Sequence, residues 1–312
     1  MAVTLAQAAT LSENDLQRGV VETFVQSSVI LDRMPFMQVE GNAYAYNVEQ
    51  TLPGVAFRAV NAAYIESTGV VNQATETIKI LGGDADVDRF IVQTRGNLND
   101  QRAVQTAMKV KSLSYAFQDC VVNGDSSVDA NAFDGWKKRL TGAQVITAGT
   151  DGIPVLGTTD ADRLAFLDKL DEAISRVKNP SAIYTNAMIR SKILSSFRRL
   201  NIAHDRVGDK QEPTYQGIPL VDIGTKADGT TQILPQTETV GAGTTCASVY
   251  VVGFGQDEMD GGVTGLWNGG VQVRDLGEIT DKPVYRTRIE LYGGMALFSG
   301  QAAARLQGVL NS

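Results

Sequence analysis

The sequence predicts an α+β fold. Three observations carry it. Residues alternate in strand fashion near both ends, one stretch around residue 110 repeats its apolar positions about every 3.6 residues, and the second half runs helix, strand, helix, strand. The chain has 312 residues, enough for two lobes or one elaborated domain. Apolar residues make up 43% of it and can fill a substantial core. Charged residues make up 20%, below the usual ~25% of soluble proteins, which suggests surface covered by other chains.

Ser12 caps a first helix, with Asp15 three residues on and Leu16, Val20 and Phe24 in one narrow apolar stripe. So narrow a stripe docks on something instead of nucleating a domain. Pro35 then keeps the chain extended to Phe36. Over residues 41–82, Tyr44, Tyr46 and Val48 alternate with small or polar residues, and a second strand is expected from Thr75 to Leu81. The segment between reads as polar and glycine-bearing, with Pro53-Gly54, Ser67-Thr68-Gly69 and Asn72-Gln73. Together these make a hairpin with a long tip. An isolated hairpin is marginal at best, and ordering about 40 residues costs tens of kcal/mol at ~1–2 kcal/mol each. The hairpin is therefore expected to lie on another surface, its own body or a neighbouring subunit, with a mobile loop as the alternative.

The clearest helix begins near Asn97–Asp100 and runs to Asn123, with Gly124 expected as a left-handed cap. Ala103, Ala107, Val110, Leu113 or Ser114, Phe117 and Val121 share one face. About 24 residues give a strut of roughly 36 Å. Thr159 or Asp160 caps another helix, with Leu164, Leu167, Leu170, Ile174 and Val177 on one face and Asn179-Pro180 as its stop. A short strand over residues 182–185 leads to Asn186, the cap of a helix carrying Ile189, Ile193, Phe197 and Leu200. Further strands are expected over residues 218–221, 248–254, 271–273, 284–292 and 295–298. In the fourth of these, Tyr285, Thr287, Ile289 and Leu291 face one way, and Val284, Arg286, Arg288 and Glu290 mostly the other.

Chemistry-bearing patterns are sparse. No run of 18 apolar residues is present, so no helix is expected to span a membrane. The opening MAVTLAQAATLSENDL lacks the order of a secretory signal. Cys120 and Cys246 make neither a disulfide framework nor a zinc motif, and read as small buried hydrophobes in a reducing cytoplasm. Net charge is −7 and the pI about 4.9. Lys137-Lys138-Arg139 and Arg198-Arg199 are the densest basic groups, a poor footprint for sequence-specific nucleic-acid binding. The single histidine, His204, sits beside Asp205 in a polar stretch with no nucleophile motif. Asp84, Asp86 and Asp88 resemble the start of a calcium loop but lack its glycine and closing glutamate. They read as solvated charges near a turn, with a cation site as the alternative. Gly253-Phe254-Gly255, Gly261-Gly262 and Gly269-Gly270 match no phosphate loop. No catalytic residue, cofactor or metal is expected, and the chain does not read as an enzyme.

Several short motifs follow one another along the chain. They are Leu31-x-x-Met34-Pro35-Phe36, Thr51-Leu52-Pro53-Gly54-Val55-Ala56-Phe57, Val121-Val122-Asn123-Gly124-Asp125, Phe133-Asp134-Gly135-Trp136, Tyr184-x-Asn186, Tyr215-Gln216-Gly217-Ile218-Pro219 and Tyr285-x-x-Arg288-Ile289-x-Leu291. Their order and spacing resemble the major capsid proteins of tailed bacteriophages with the Hong Kong 97-like fold, over nearly the whole chain. The resemblance implies an N-terminal arm (1–40), an extended loop hairpin (41–90), a peripheral domain (91–154, with a long spine helix at 97–123) and an axial domain (155–265). Residues 266–312 would supply returning strands of the peripheral domain and a C-terminal segment.

The resemblance also implies a structural protein of the virion, assembled in the host cytoplasm. Its copies would form hexamers and pentamers of an icosahedral shell enclosing double-stranded DNA, with the extended loop lying over the next subunit. A portal, a decoration protein and a separate scaffold protein would be its partners, the last because the chain begins almost directly at the arm. The acidic charge suits a wall that does not trap DNA. The family's type member crosslinks its subunits through a lysine on the extended loop. Here that loop carries only Lys79, near its base, so no covalent ladder is expected on a denaturing gel. An encapsulin-like compartment is the alternative within the same fold. A hydrolase using His204 and a soluble binding module are the alternatives outside it.

Overall fold

A computed structural model describes residues 28–95, 101–202, 206–207 and 212–311. The expected first helix (Ser12 to Phe24), the start of the long helix near 97–100 and His204 lie outside the described residues.

The chain opens with β1 (Phe36–Gln38), β2 (Ala43–Thr51), β3 (Val70–Thr77) and β4 (Lys79–Asp88). The single strand expected from Thr75 to Leu81 is two. Thr75 and Thr77 pair with β2, whereas Lys79, Ile80 and Leu81 pair with Gly293, Tyr292 and Leu291 of a later strand. Ile78 sits at the break and donates its N–H to Asn42 O at 2.9 Å. One continuous pattern here serves two sheets, and alternation of period two is blind to which sheet a strand joins.

Next come α1 (Arg89–Arg95) and α2 (Gln101–Asn123). On α2, Val110, Leu113, Ser114, Phe117 and Val121 are buried, as the period requires, but Ala103 and Ala107 are exposed. Gly124 ends the helix for a different reason than expected, because its φ is not in the left-handed region. A Cβ there would sit 2.2 Å from Phe133 O and 2.5 Å from Cys120 O. The Phe133-Asp134-Gly135-Trp136 motif has the same origin. Gly135 donates its N–H to Gly124 O at 2.9 Å, and a Cβ on it would meet Cys120 O at 2.5 Å. Phe133 and Trp136 are both buried. Then follow α3 (Trp136–Arg139), β5 (Val145–Thr147) and β6 (Ile153–Pro154).

In the second half, Thr159 caps α4 (Asp160–Ser175) through a capping box with Asp162. Phe166, Leu167, Leu170 and Ala173 form its buried face, while Leu164, expected inside, is 50% exposed. After β7 (Ala182–Thr185), Asn186 accepts the Ile189 N–H at 2.8 Å and caps α5 (Ala187–Arg199). Then come β8 (Arg206–Val207), β9 (Glu212–Tyr215) and β10 (Ile218–Asp222). Gln216 (φ 51°) and Gly217 (φ 79°) make a two-residue turn between the last two, with both φ values positive as a type I′ hairpin demands. The chain finishes with β11 (Glu238–Val240), β12 (Gly243–Val252), β13 (Val263–Glu278), β14 (Val284–Leu297) and β15 (Ala303–Leu310). The strands expected at 284–292 and 295–298 are one, continuous through Gly293 and Gly294. β15 has no counterpart among the expected strands, and β13 extends well beyond residues 271–273.

One sheet has the order β1-β13-β14-β4. A second runs β5-β15-β12-β7-β10-β9-β8, with β6 beside β15 and β11 beside β12. The second sheet buries both faces. Ile183, Val249 and Val251 pack with α4 and α5, while Tyr184, Tyr250 and Val252 face a core shared with the first sheet. Phe36 and Phe117 (6.0 Å between centroids) and Phe117 and Phe133 (5.5 Å) fill that shared core on one side. Trp136 meets Tyr184 at 5.5 Å and Tyr250 at 5.8 Å on the other.

Trp136 is fully buried, and its Nε1 has no hydrogen-bond partner among the described residues. Trp136→Ala is expected to cost about 3–5 kcal/mol by opening a cavity between the sheets. Trp136→Phe should cost clearly less, since no hydrogen bond is lost. Urea unfolding of the two variants checks both.

Candidate assembly interface

Among the described residues, the hairpin of β2 and β3 carries a long continuous run that the body does not cover. The two strands pair from Ala43↔Thr77 to Thr51↔Val70. Their base is held firmly. Tyr46 is buried against Phe298, with ring centroids 5.0 Å apart at 85°. Its hydroxyl lies 3.0 Å from Leu297 O and 3.2 Å from Glu76 Oε1. Burial and the Glu76 charge push that hydroxyl well above the usual tyrosine range, so it stays a neutral donor. Arg139, at the end of α3, forms a two-pronged ion pair with Glu76. Both side chains are largely shielded, at 16% and 13% exposure. Tyr44 OH and the Asn47 N–H both donate to Glu258, at 3.3 and 3.4 Å.

Beyond the base the picture reverses. Residues 51–73 are exposed throughout. Val55 is 98%, Phe57 109%, Val60 90% and Ile65 89% exposed. The tip has local order of its own. Arg58 lies over the Tyr64 ring at 5.1 Å and donates to Ala62 O at 3.2 Å, Asn61 takes a φ of 65°, and the Gly54 N–H donates to Ser67 Oγ at 2.9 Å. The glycines and prolines that suggested a polar tip are its flanks; the middle, VAFRAVNAAYI, is apolar. Each such side chain gains roughly 1.5–3 kcal/mol on burial. An exposed cluster of this kind marks a contact surface.

The carboxylates of Asp84 and Asp86 are not unpaired charges near a turn, although Asp86 stays exposed to solvent. Both, with Asp88, are in β4, and the register sets Asp84 opposite Arg288 and Asp86 opposite Arg286. Asp84 accepts from Arg288 Nε at 2.8 Å and Nη2 at 3.0 Å; Asp86 accepts from Arg286 Nε at 2.7 Å and Nη2 at 2.6 Å. Asp88 instead accepts the Phe90 N–H at the start of α1, at 2.7 Å. Two of the three carboxylates are thus occupied by a cross-strand ladder of charges. Arg286 and Arg288, expected on the outward face of their strand, are its other half. Lys79 Nζ donates to Ala130 O at 2.8 Å. Cys246 is buried, and Cys120 is half-buried with its thiol pushed up to about 11, chiefly by burial. Among the described residues no group of three metal-ligating side chains converges.

The sequence pattern of the family described as "Major capsid protein GP7" matches residues 12–158, a span that contains the hairpin, α2 and α3. No curated protein matches by sequence. Solved structures match over most of the chain. The holo-SrpI encapsulin complex from Synechococcus elongatus PCC 7942 is 17% identical, with a TM-score of 0.66 over 91% of this chain and 88% of that one. The capsid of the native GTA particle is 12% identical, with a TM-score of 0.63 over 92% and 90%. Mycobacterium phage Adephagia is 11% identical, with a TM-score of 0.59 over 98% of both chains. At such identities the likeness is one of fold.

Two measurements probe this surface. Arg139→Leu alone strands Glu76 and is expected to destabilise by about 1–3 kcal/mol, between the values for exposed and fully buried pairs. Arg139→Leu with Glu76→Leu should cost less than Arg139→Leu alone, in the same denaturation assay. The charge ladder gives a pH signature. Hydrogen bonds from Arg288 and Arg286 hold the Asp84 and Asp86 carboxyls below the usual carboxylate range. Their stabilisation is therefore present above the unfolded value of about 3.9 and is lost as pH falls through the depressed folded values. Asp84→Asn/Asp86→Asn should melt below the wild type at pH 7, with a gap that closes on acidification below about pH 4 and narrows in high salt.

Proposed function

We propose that this chain, which has the Hong Kong 97-like fold, is a major capsid protein whose copies close into an icosahedral shell of hexamers and pentamers around double-stranded DNA. The observation that carries this reading is the hairpin. It is clamped at its base and presents an apolar tip that its own body leaves uncovered. A tip on one part of a molecule that is met by a different part of the next copy makes a head-to-tail contact, and such contacts form rings when the rotation between copies closes. The extended loop (41–90) therefore lies over the neighbouring subunit. The peripheral (91–154) and axial (155–265) domains, with the returning strands of 266–312, form the body of the wall.

The net charge of −7 supports a lining that holds DNA weakly. The protein acts as a wall and not as an enzyme: in the described residues the conspicuous charged groups, Asp84, Asp86 and Glu76, are engaged by arginines. A portal, a scaffold protein and a decoration protein are its proposed partners. The virion is its proposed destination and the host cytoplasm its place of assembly.

The encapsulin-like reading keeps one specific support, the TM-score of 0.66 to the holo-SrpI complex. Shell contents separate the two. Electron microscopy of the expressed protein is expected to show megadalton shells or capsomer rings, and shells from infected cells should hold DNA. A persistent monomer under assembly conditions would sink the proposal, and protein-filled shells free of DNA would favour the encapsulin-like alternative. The same shells on a denaturing gel should run without a covalent ladder, because Lys79 sits at the hairpin base and is engaged with Ala130 O.

A further inference from the structure

A groove opens beside the foot of the hairpin. Ile80 and Leu81 of β4, Ala116 and Phe117 of α2, and Ala132 and Phe133 of the following turn line a cavity of about 250 Å³. β4 is an edge strand of its sheet, so this side is not closed by a further strand. Ile80 is 72% exposed at the mouth. The groove is thus apolar, concave and open, which is the shape that receives an inserted side chain.

We propose that this groove receives the hairpin tip of a second copy, with Phe57 as the inserted side chain and Arg58 facing Asp129. The inference rests on the shell reading above and assigns the surface that the loop meets.

Reach excludes the subunit's own tip. The groove begins at Lys79, next to the end of β3, while the nine residues of β2 carry the tip about 30 Å away. Charge is the second argument. Arg58 is the single basic residue between Arg33 and Lys79, and Glu66 is the acid of the tip. The groove carries the complement, with Asp129 and Lys79 among its lining residues. Two neighbouring acids already have cations: Asp119 pairs with Lys226 at 2.8 Å and Asp125 with Lys138 at 2.9 Å. Asp129 is exposed, accepts only the Asn131 N–H at 2.9 Å, and makes no ion pair among the described residues. It is the acid left for a cation from outside. Chemistry is the third argument. Phe57 and its neighbours Val55 and Val60 are almost wholly exposed, and an aromatic anchor in an apolar pocket with a charged rim is how interfaces concentrate their energy.

The test is a disulfide between copies. Shells carrying both Phe57→Cys and Ile80→Cys on a Cys120→Ser background, since the Cys120 thiol also lines the groove, are expected after oxidation and without reductant to give a ladder up to pentamers and hexamers. Neither single variant nor the wild type should give it. Both positions are exposed, so folding is not at stake. Shells that form but yield no ladder overturn the groove assignment and leave the shell reading standing. A wild-type chain that stays monomeric, with no ladder in the double variant, overturns both. A charge swap gives a second readout. Arg58→Asp should raise the concentration needed for assembly about tenfold, and adding Asp129→Arg should recover it. Failure of the swap to recover assembly removes Asp129 as the partner of Arg58.

Discussion

Trp136 packs on Tyr184 and Tyr250 of the nine-stranded sheet and lies in the core that this sheet shares with the four-stranded one. The nine-stranded sheet is buried on both faces and forms a body. The four-stranded sheet carries α2 on one face and the hairpin at its edge. Trp136 stands where it does because Gly124 and Gly135 let two backbone segments approach more closely than any Cβ would allow. That approach sets Phe133 against Phe117 and starts α3, whose last residue is Arg139. The position of the hairpin base follows, since Glu76 is held by Arg139. A pair of glycines thus governs, through rigid packing, where the hairpin begins.

The hairpin combines two opposite conditions. Its base is tied by an aromatic contact, a shielded ion pair and a shared carboxylate, Glu258. Its tip exposes several large apolar side chains at once. A fixed base holds the tip at a set direction before any partner arrives, which reduces the ordering cost of association. The tip's own contacts, with Arg58 on Tyr64, act the same way. A subunit built like this is stable as a fold and incomplete as a surface.

Much of the fold was legible in the sequence. The buried face of α2 from Val110 to Val121, the caps Thr159 and Asn186, and the alternation of β14 all depend on neighbours within a few residues. The misreadings share one cause. Thr75 to Leu81 is a single strand pattern whose two ends join different sheets. Leu164 fits a helical period, but it lies outside the buried face set by Phe166, Leu167, Leu170 and Ala173. β15 is buried on both sides, so it shows little alternation to read. The aspartates of β4 were legible as a triplet, but their arginine partners lie about 200 residues away in sequence.

The sequence by itself determined the α+β class, the long amphipathic helix, the hairpin, and an order of motifs that resembles the Hong Kong 97-like fold. Each of these is written in local periodicity, turn residues or a string of short motifs. Only the tertiary structure decided which strand meets which, that Asp84 and Asp86 bind arginines, and that the tip of the hairpin stands clear of its own body. The reason is physical: pairing across a sheet and coverage of a surface depend on segments far apart in the chain, and no local pattern records which distant segment arrives.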